Sequence, residues 1–136
     1  PLAHIVTPNQ FELGLLTESQ INTFHDATKA AKTMLKQNPN LQTVIATGIA
    51  NGELGISDIK VTRHDIDTLH YAKRPRGVAG GGDLLTAILA CWLTAGHDLN
   101  AAFAAASHDT HRIIEDSASA IDIALFDNLH RLTACC

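Results

Sequence analysis

The sequence predicts an α/β fold with a partly parallel sheet. Three observations carry that prediction. Two short apolar runs, Ala3–Val6 and Leu41–Ala46, read as buried strands and alternate with segments of helical period. Leu85, Ile88, Leu89, Trp92 and Leu93 recur at i, i+3, i+4, i+7 and i+8, a strong helical stripe directly behind a glycine-rich stretch. Hydrophobic residues make up 46% of the 136 and charged residues 18%, enough apolar side chain for a core and too little charge for disorder.

Each element has its own signal. Ala3–Val6 runs into Thr7-Pro8-Asn9, so the strand ends in a turn. Gln10–Leu16 has a short helical pattern. Thr23–Gln37 is a longer helix, with Phe24, Ala27, Ala31, Met34 and Leu35 near helical spacing and lysines between them. Asn38-Pro39-Asn40 stops it, because proline cannot continue a helix. Leu41–Ala46 has the composition of a buried parallel strand. Thr47-Gly48 and Asn51-Gly52 carry turn chemistry, and Leu54–Thr62 with Asp67–Lys73 reads as two weaker strands of a hairpin or flap. Gly96 ends the helix that begins after the glycines. Asp98 or Asn100 then caps a helix from Ala101 to about Glu115, and Ser117 or Ser119 a last one from Ala120 to about Leu132. Two strong strands are too few for a doubly wound sheet. The first residues read as the start of a buried strand, with neither a Met nor a signal-like stretch before it. The expectation is that residues 1–136 form a single fragment of a larger domain.

Several function classes are disfavoured. Ten Lys and Arg stand against fourteen Asp and Glu, a formal charge of −4, which leaves no basic excess for nucleic acid or an anionic membrane. The longest nearly apolar run, Leu84 to Gly96, is short of the roughly 18–20 residues that span a bilayer. Cys91 and the vicinal Cys135-Cys136 fit no disulfide framework and no zinc spacing, so reduced thiols and a cytoplasmic location are expected. His108 and His111 lack a third ligand at supporting spacing and read as surface residues. Lys29, Lys32 and Lys36 read as a solvated face, and Trp92 and Phe103 as core anchors.

The chemistry concentrates in Gly77-Val78-Ala79-Gly80-Gly81-Gly82-Asp83. Consecutive glycines ahead of a helix let backbone N–H groups converge on an anion, and the helix N-terminus adds partial positive charge. A Walker A loop would need Lys where Asp83 stands, and a dinucleotide fingerprint starting at Gly80 would need Gly where Leu85 stands. A carboxylate beside an anion-binding turn can accept a substrate hydroxyl proton while the amides hold a phosphoryl group. The plainer reading of Asp83, a helix-capping residue on a glycine turn, fits the pattern as well. Asn9 and Glu12 have the spacing of a capping box, which would fix where Glu12 points.

Gly80-Gly81-Gly82-Asp83-Leu84-Leu85-Thr86-Ala87 resembles the Gly-x-Gly-Asp signature of the ribokinase-like superfamily, and Thr7-Pro8-Asn9-Gln10-Phe11-Glu12 resembles its Thr-Pro-Asn-x-x-Glu motif. The wording of both is closest to the pyridoxal kinases. The resemblance covers the chain to about Leu132 and corresponds to the C-terminal half of such a kinase. It implies the C-terminal portion of a three-layer α/β/α fold with an incomplete sheet, carrying the nucleotide site, anion hole and catalytic base. The implied reaction is ATP-dependent phosphorylation of the 5′-hydroxymethyl group of pyridoxal, in vitamin B6 salvage. Asp83 matches the base, and Gly80, Gly81 and Gly82 match the anion hole. Thr7, Glu12, Thr47, Arg76, Gly77, Val78 and Ala79 match positions at the ATP. Asn9 and Glu12 match the pair that organises Mg²⁺ through water, with K⁺ as a further family cation. The resemblance also implies a homodimer for the complete protein and an inactive fragment in isolation. Gly81 departs from the Val, Thr or Ala usual between the motif glycines. Hydroxymethylpyrimidine kinases share the fold, although those acting on the phosphorylated pyrimidine often place Cys at the position of Asp83. A non-catalytic nucleotide-binding fragment is the remaining alternative.

Overall fold

The computed structural model describes residues 3–73 and 80–117. It divides into two compact units, Pro1–Lys73 and Arg74–Cys136. The expected helix from Ala120, the Ser119 cap, Cys135 and Cys136 lie outside the described residues, as do Arg76, Gly77, Val78 and Ala79.

The first unit holds a four-stranded sheet in the order β1-β2-β3-β4, formed by Ile5–Val6, Thr43–Asn51, Gly55–Thr62 and Ile66–Ala72. β1 pairs with β2 in parallel, and the other pairs are antiparallel. The hairpin expected from the two weaker strand patterns is thus present. Helices α1 (Gln10–Thr17) and α2 (Phe24–Gln37) form the crossover between β1 and β2. A parallel pair needs such a crossover, since no tight turn can join its ends. Thr23 caps α2, and its box with Asp26 is reciprocal. Ala27, Ala30, Ala31, Met34 and Leu35 are the buried face of α2 and meet Val44, Ala46, Ile49, Ile59 and Val61 in one core cluster.

One sequence reading needs correction. Thr47-Gly48 is not a turn. β2 runs on to Asn51, with a register shift between Ala46 and Ile49. Gly48 absorbs the irregularity at φ 64°, and its N–H donates to Asp58 Oδ1 at 2.9 Å. A bulge uses the same residue chemistry as a turn, so local sequence cannot separate the two. The true turn is Asn51-Gly52, where Gly52 has φ 71°.

β3 is buried on both faces. Ser57, Ile59 and Val61 alternate with Asp58 and Lys60, and none is more than 1% exposed. Lys60 Nζ bonds Asp67 across the β3–β4 pair. Arg63 ties the β3–β4 turn to the loop before β2 by donating to the carbonyls of Asn38, Pro39 and Leu41.

The second unit pairs α3 (Gly81–Thr94) with α4 (Leu99–Asp116). Leu84, Leu85, Ile88 and Leu89 are the buried stripe of α3, and Ala102, Phe103, Ala106 and Ile113 that of α4. Phe103 is a core anchor as expected, whereas Trp92 is only half-buried. Asp98 caps α4 by accepting from the Asn100 and Ala101 amides. Those bonds, the Ala101 one first, hold the Asp98 carboxyl below its ordinary value. The cap's contribution is therefore present above about pH 4 and is lost as pH falls through the lowered value.

The Lys60–Asp67 pair generates a prediction. Removing Asp67 takes a carboxylate partner from a buried ammonium, and breaking such a pair costs about 3–5 kcal/mol when both groups are buried. The Asp67 side chain is 44% exposed, so water offsets part of that, and Asp67→Ala should cost about 1–3 kcal/mol. Lys60→Met, which removes the charge and keeps the bulk, should lie within about 1 kcal/mol of the parent. Urea denaturation of both variants measures the contrast, and equal losses would contradict it.

Candidate active site

The candidate site of the first unit forms where β1 ends. Pro8 leads the chain off the sheet, and Asn9 becomes the N-cap of α1 in extended conformation. Asn9 Oδ1 accepts from the Glu12 amide at 3.0 Å, and Glu12 Oε2 accepts from the Asn9 amide at 2.9 Å. The capping box expected from the spacing is present, and it holds both side chains at the surface. Asn9 also bridges to Thr47 in parallel, and the Thr47 amide donates to Pro8 O at 3.0 Å. Thr7, Asn9 and Glu12 therefore sit at the carboxyl end of β1, beside Thr47 in the middle of β2, forty residues on from Thr7 in sequence. That is where ligands bind in open α/β sheets. Thr7 and Glu12 share a cavity of about 390 Å³ with Val6, Pro8, Leu15 and Leu16.

Sequence reasoning missed Gln10. Its side chain spans the layers, donating from Nε2 to Ile21 O at 2.6 Å and accepting at Oε1 from the Ala50 amide at 2.8 Å. It fixes α1 to the strand that carries Thr47. Nothing local marks such a role, because a glutamine at a helix start is ordinary on an exposed surface.

The residues fit Mg²⁺ held indirectly. Among the described residues no cluster of three or more His, Cys, Asp or Glu could cage a metal. Mg²⁺ commonly keeps several waters and takes one or two carboxylates together with substrate phosphates. Glu12 offers a hard-oxygen carboxylate held at one oxygen by the Asn9 amide, and Asn9 acts as its holder.

The second unit has a candidate of its own at the start of α3. Gly80 is the N-cap at φ 90°, and Gly81, Gly82 and Asp83 form the first turn. First-turn amides have no acceptor within their helix, so this turn presents N–H groups as expected of an anion hole. Asp83 sits at the third helical position with its side chain exposed. The stretch is thus a helix start and not a free loop up to Asp83. The positive φ is at Gly80, and Gly82 is helical. A Cβ on Gly82 would meet nothing within 4 Å, whereas one on Gly81 would lie 3.0 Å from Ile114 Cδ1 on α4. Gly81 thus has a packing reason to lack a side chain.

Comparison with known proteins gives these features a family. The chain belongs to the phosphomethylpyrimidine kinase family, whose sequence profile matches residues 1–124. It is 34% identical over 110 residues to a pyridoxine/pyridoxal/pyridoxamine kinase of Bordetella avium, a match covering 79% of this chain and 36% of that one. The fold is similar to that of pyridoxal kinase from Entamoeba histolytica, with a TM-score of 0.87 and 25% identity over 98% of this chain and 48% of that one. It is also similar to a pyridoxal kinase from Staphylococcus aureus solved with AMP-PCP and pyridoxal, with a TM-score of 0.75 and 25% identity over 85% of this chain and 43% of that one. The fold is therefore the ribokinase-like α/β fold. The chain spans half or less of the length of these relatives.

Two predictions follow from the local geometry. Gly80→Val, which forces a β-branched residue to positive φ, should cost about 1–3 kcal/mol, whereas Gly82→Ala should be neutral or stabilising by up to about 1 kcal/mol. Thermal melts of the two variants check the order, and the reverse order would misplace the strain. Glu12→Gln keeps a side-chain acceptor for the Asn9 amide, so it should melt within a degree or two of the parent while weakening Mg²⁺-dependent nucleotide binding. Calorimetric titration of ADP with and without Mg²⁺ reads that difference.

Proposed function

We propose that this chain supplies the phosphate end of the nucleotide site and the catalytic base of an ATP-dependent pyridoxal kinase. The observation that carries the reading is the gathering of Thr7, Asn9 and Glu12 at the carboxyl end of β1 beside Thr47 of β2, in a chain of this family. Relatives named as pyridoxal kinases, and a neighbour solved with an ATP analogue and pyridoxal, supply the substrate class.

In this reading Asp83 accepts the proton of the 5′-hydroxymethyl group as its oxygen attacks the γ-phosphorus. The bond from that phosphorus to the bridging oxygen breaks, and ADP leaves with the electron pair. Gly80, Gly81 and Gly82 direct backbone N–H groups at the phosphoryl oxygens, where charge spreads in a loose transition state. Mg²⁺ neutralises phosphate charge when bound. Glu12 orients its waters from a position set by the Asn9 amide, and Thr7, after β1, and Thr47, within β2, lie beside the phosphates. Arg76, Gly77, Val78 and Ala79 belong to the same nucleotide stretch. The complete kinase is a homodimer that binds ATP and pyridoxal in the cytoplasm, and residues 1–136 are the C-terminal half of its domain. A hydroxymethylpyrimidine kinase is the second reading, favoured by the family's own description. Comparing turnover with pyridoxal and with hydroxymethylpyrimidine separates the two.

The test joins this chain to the N-terminal half of the Bordetella avium kinase and follows ADP release with pyridoxal, ATP and Mg²⁺. Asp83→Asn should lower turnover by about 10²–10⁴-fold, the usual contribution of a general base, with ADP affinity unchanged. The 136-residue chain alone should show no vitamin-dependent turnover, because positioning the nucleophile in line can supply roughly 7–11 kcal/mol of the barrier. Full activity of the Asn variant would remove Asp83 from the chemistry. Turnover by the chain alone within tenfold of the joined protein would overturn the half-site reading.

A further inference from the structure

Gln10 lies between the two partners of the capping box. Asn9 is the N-cap of α1, Gln10 its first helical residue and Glu12 its third. The Gln10 side chain is half-buried and uses both ends of its amide. Oε1 accepts from the Ala50 N–H at 2.8 Å, and Nε2 donates to the Ile21 carbonyl at 2.6 Å. The β2 strand is built to offer that N–H. In a regular strand the amides that face one neighbour recur at every second residue. The Thr47 amide faces the β1 side, since it donates to Pro8 O. The Ala50 amide faces the same side, yet it lies three residues on. The bulge changes the parity: Thr47 and Gly48 together stand opposite Asp58, between the pairs Ala46–Ile59 and Ile49–Ser57. Strand β1 has ended at Val6, and the Gln10 side chain supplies the acceptor that a longer strand would have given.

We infer that Gln10 is a positioning residue of the proposed kinase: it stands in for a strand carbonyl at Ala50, keeps the Asn9–Glu12 box in register with Thr47, and thereby sets how strongly Mg²⁺ assists nucleotide binding. The inference rests on the kinase reading above. The box by itself is local, because Asn9 and Glu12 bond each other and no strand. Directional ties to β2 lie on either side of it. Pro8 and Asn9 meet Thr47 before the helix, and Gln10 meets Ala50 within its first turn. Leu13 packs α1 into the core, but apolar contact has no direction. With both ties the direction in which α1 leaves the sheet is fixed. With only the first, the helix can pivot about the Thr47 contact. Glu12 follows Gln10 on the same turn, so a pivot moves its carboxylate away from the phosphates that share Mg²⁺ with it.

The experiment compares the 136-residue chain with two variants. Gln10→Met keeps the bulk and loses both bonds. Gln10→Glu keeps an acceptor for the Ala50 amide, and its charge suits a first helical turn, so it should fold. Amide exchange is the first readout. In Gln10→Met the protection of Asn9, Glu12 and Ala50 should fall roughly tenfold, about what one lost hydrogen bond allows, while Ile59 and Val61 in β3 keep the parent's protection. Gln10→Glu should hold Asn9 and Glu12 within about threefold of the parent. The second readout is ADP affinity by calorimetry with and without Mg²⁺. The factor by which Mg²⁺ tightens binding should drop roughly threefold to tenfold in Gln10→Met and recover in Gln10→Glu. A purely structural contact would lower both affinities alike and leave that factor unchanged. An unchanged factor, unchanged protection of Asn9 and Glu12 in Gln10→Met, or a Gln10→Glu chain as loose as Gln10→Met would each overturn the inference. Absence of any Mg²⁺ effect in the parent chain would count against the kinase reading instead, whereas the exchange of Asn9 and Glu12 decides the positioning role without nucleotide.

Discussion

The reciprocal hydrogen bonds between Asn9 and Glu12 set the geometry on which the first unit's candidate site depends. They terminate β1, start α1 and fix the direction of a carboxylate. The same turn is anchored to β2, because the Thr47 amide reaches back to Pro8 and Asn9 bridges to Thr47. A cap that serves local stability thus also presents donors and acceptors at the strand ends. The structural and chemical roles of Asn9 and Glu12 are compatible, since a side chain must be held before it can orient water.

The rest of the unit keeps those strand ends in place. Gln10 ties α1 to β2 and to the loop before α2. Asp58 holds the Gly48 amide, so the irregularity in β2 has a defined partner directly after Thr47. Bulges commonly re-aim a strand next to a functional site, and this one follows the residue that meets Asn9. Buried polar groups of this kind stabilise only when they are satisfied. Asp58 and Lys60 both lie inside the sheet with partners, which ties the hairpin's register to its charges.

The second unit starts its helix by a different device. Its helix start needs no side-chain cap, because Gly80 turns the chain at positive φ and leaves the first amides free to meet an anion. Gly81 lets α3 approach Ile114 of α4. Each of the three glycines therefore has a separate role: a turn at Gly80, close packing at Gly81 and an open backbone at Gly82. The run is one motif in sequence and three physical requirements in structure.

Much of this was legible beforehand. Helical periods located all four described helices to within a few residues, and the Asn9–Glu12 spacing announced its capping box, because caps, turns and amphipathic stripes are local consequences of side-chain chemistry. The two motifs also named Thr7, Asn9, Glu12 and Gly80–Asp83 as the residues to watch, and the family resemblance added Thr47. What stayed hidden was non-local. Gly48 in a strand and Gly48 in a turn look alike until β3 brings Asp58 to its amide. Gln10 is an ordinary surface residue until Ala50 arrives forty positions later. A run of identical glycines does not say where the helix begins, and only the folded chain puts the positive φ at Gly80. Local chemistry chose the elements, while their pairing decided which backbone groups were left to bind.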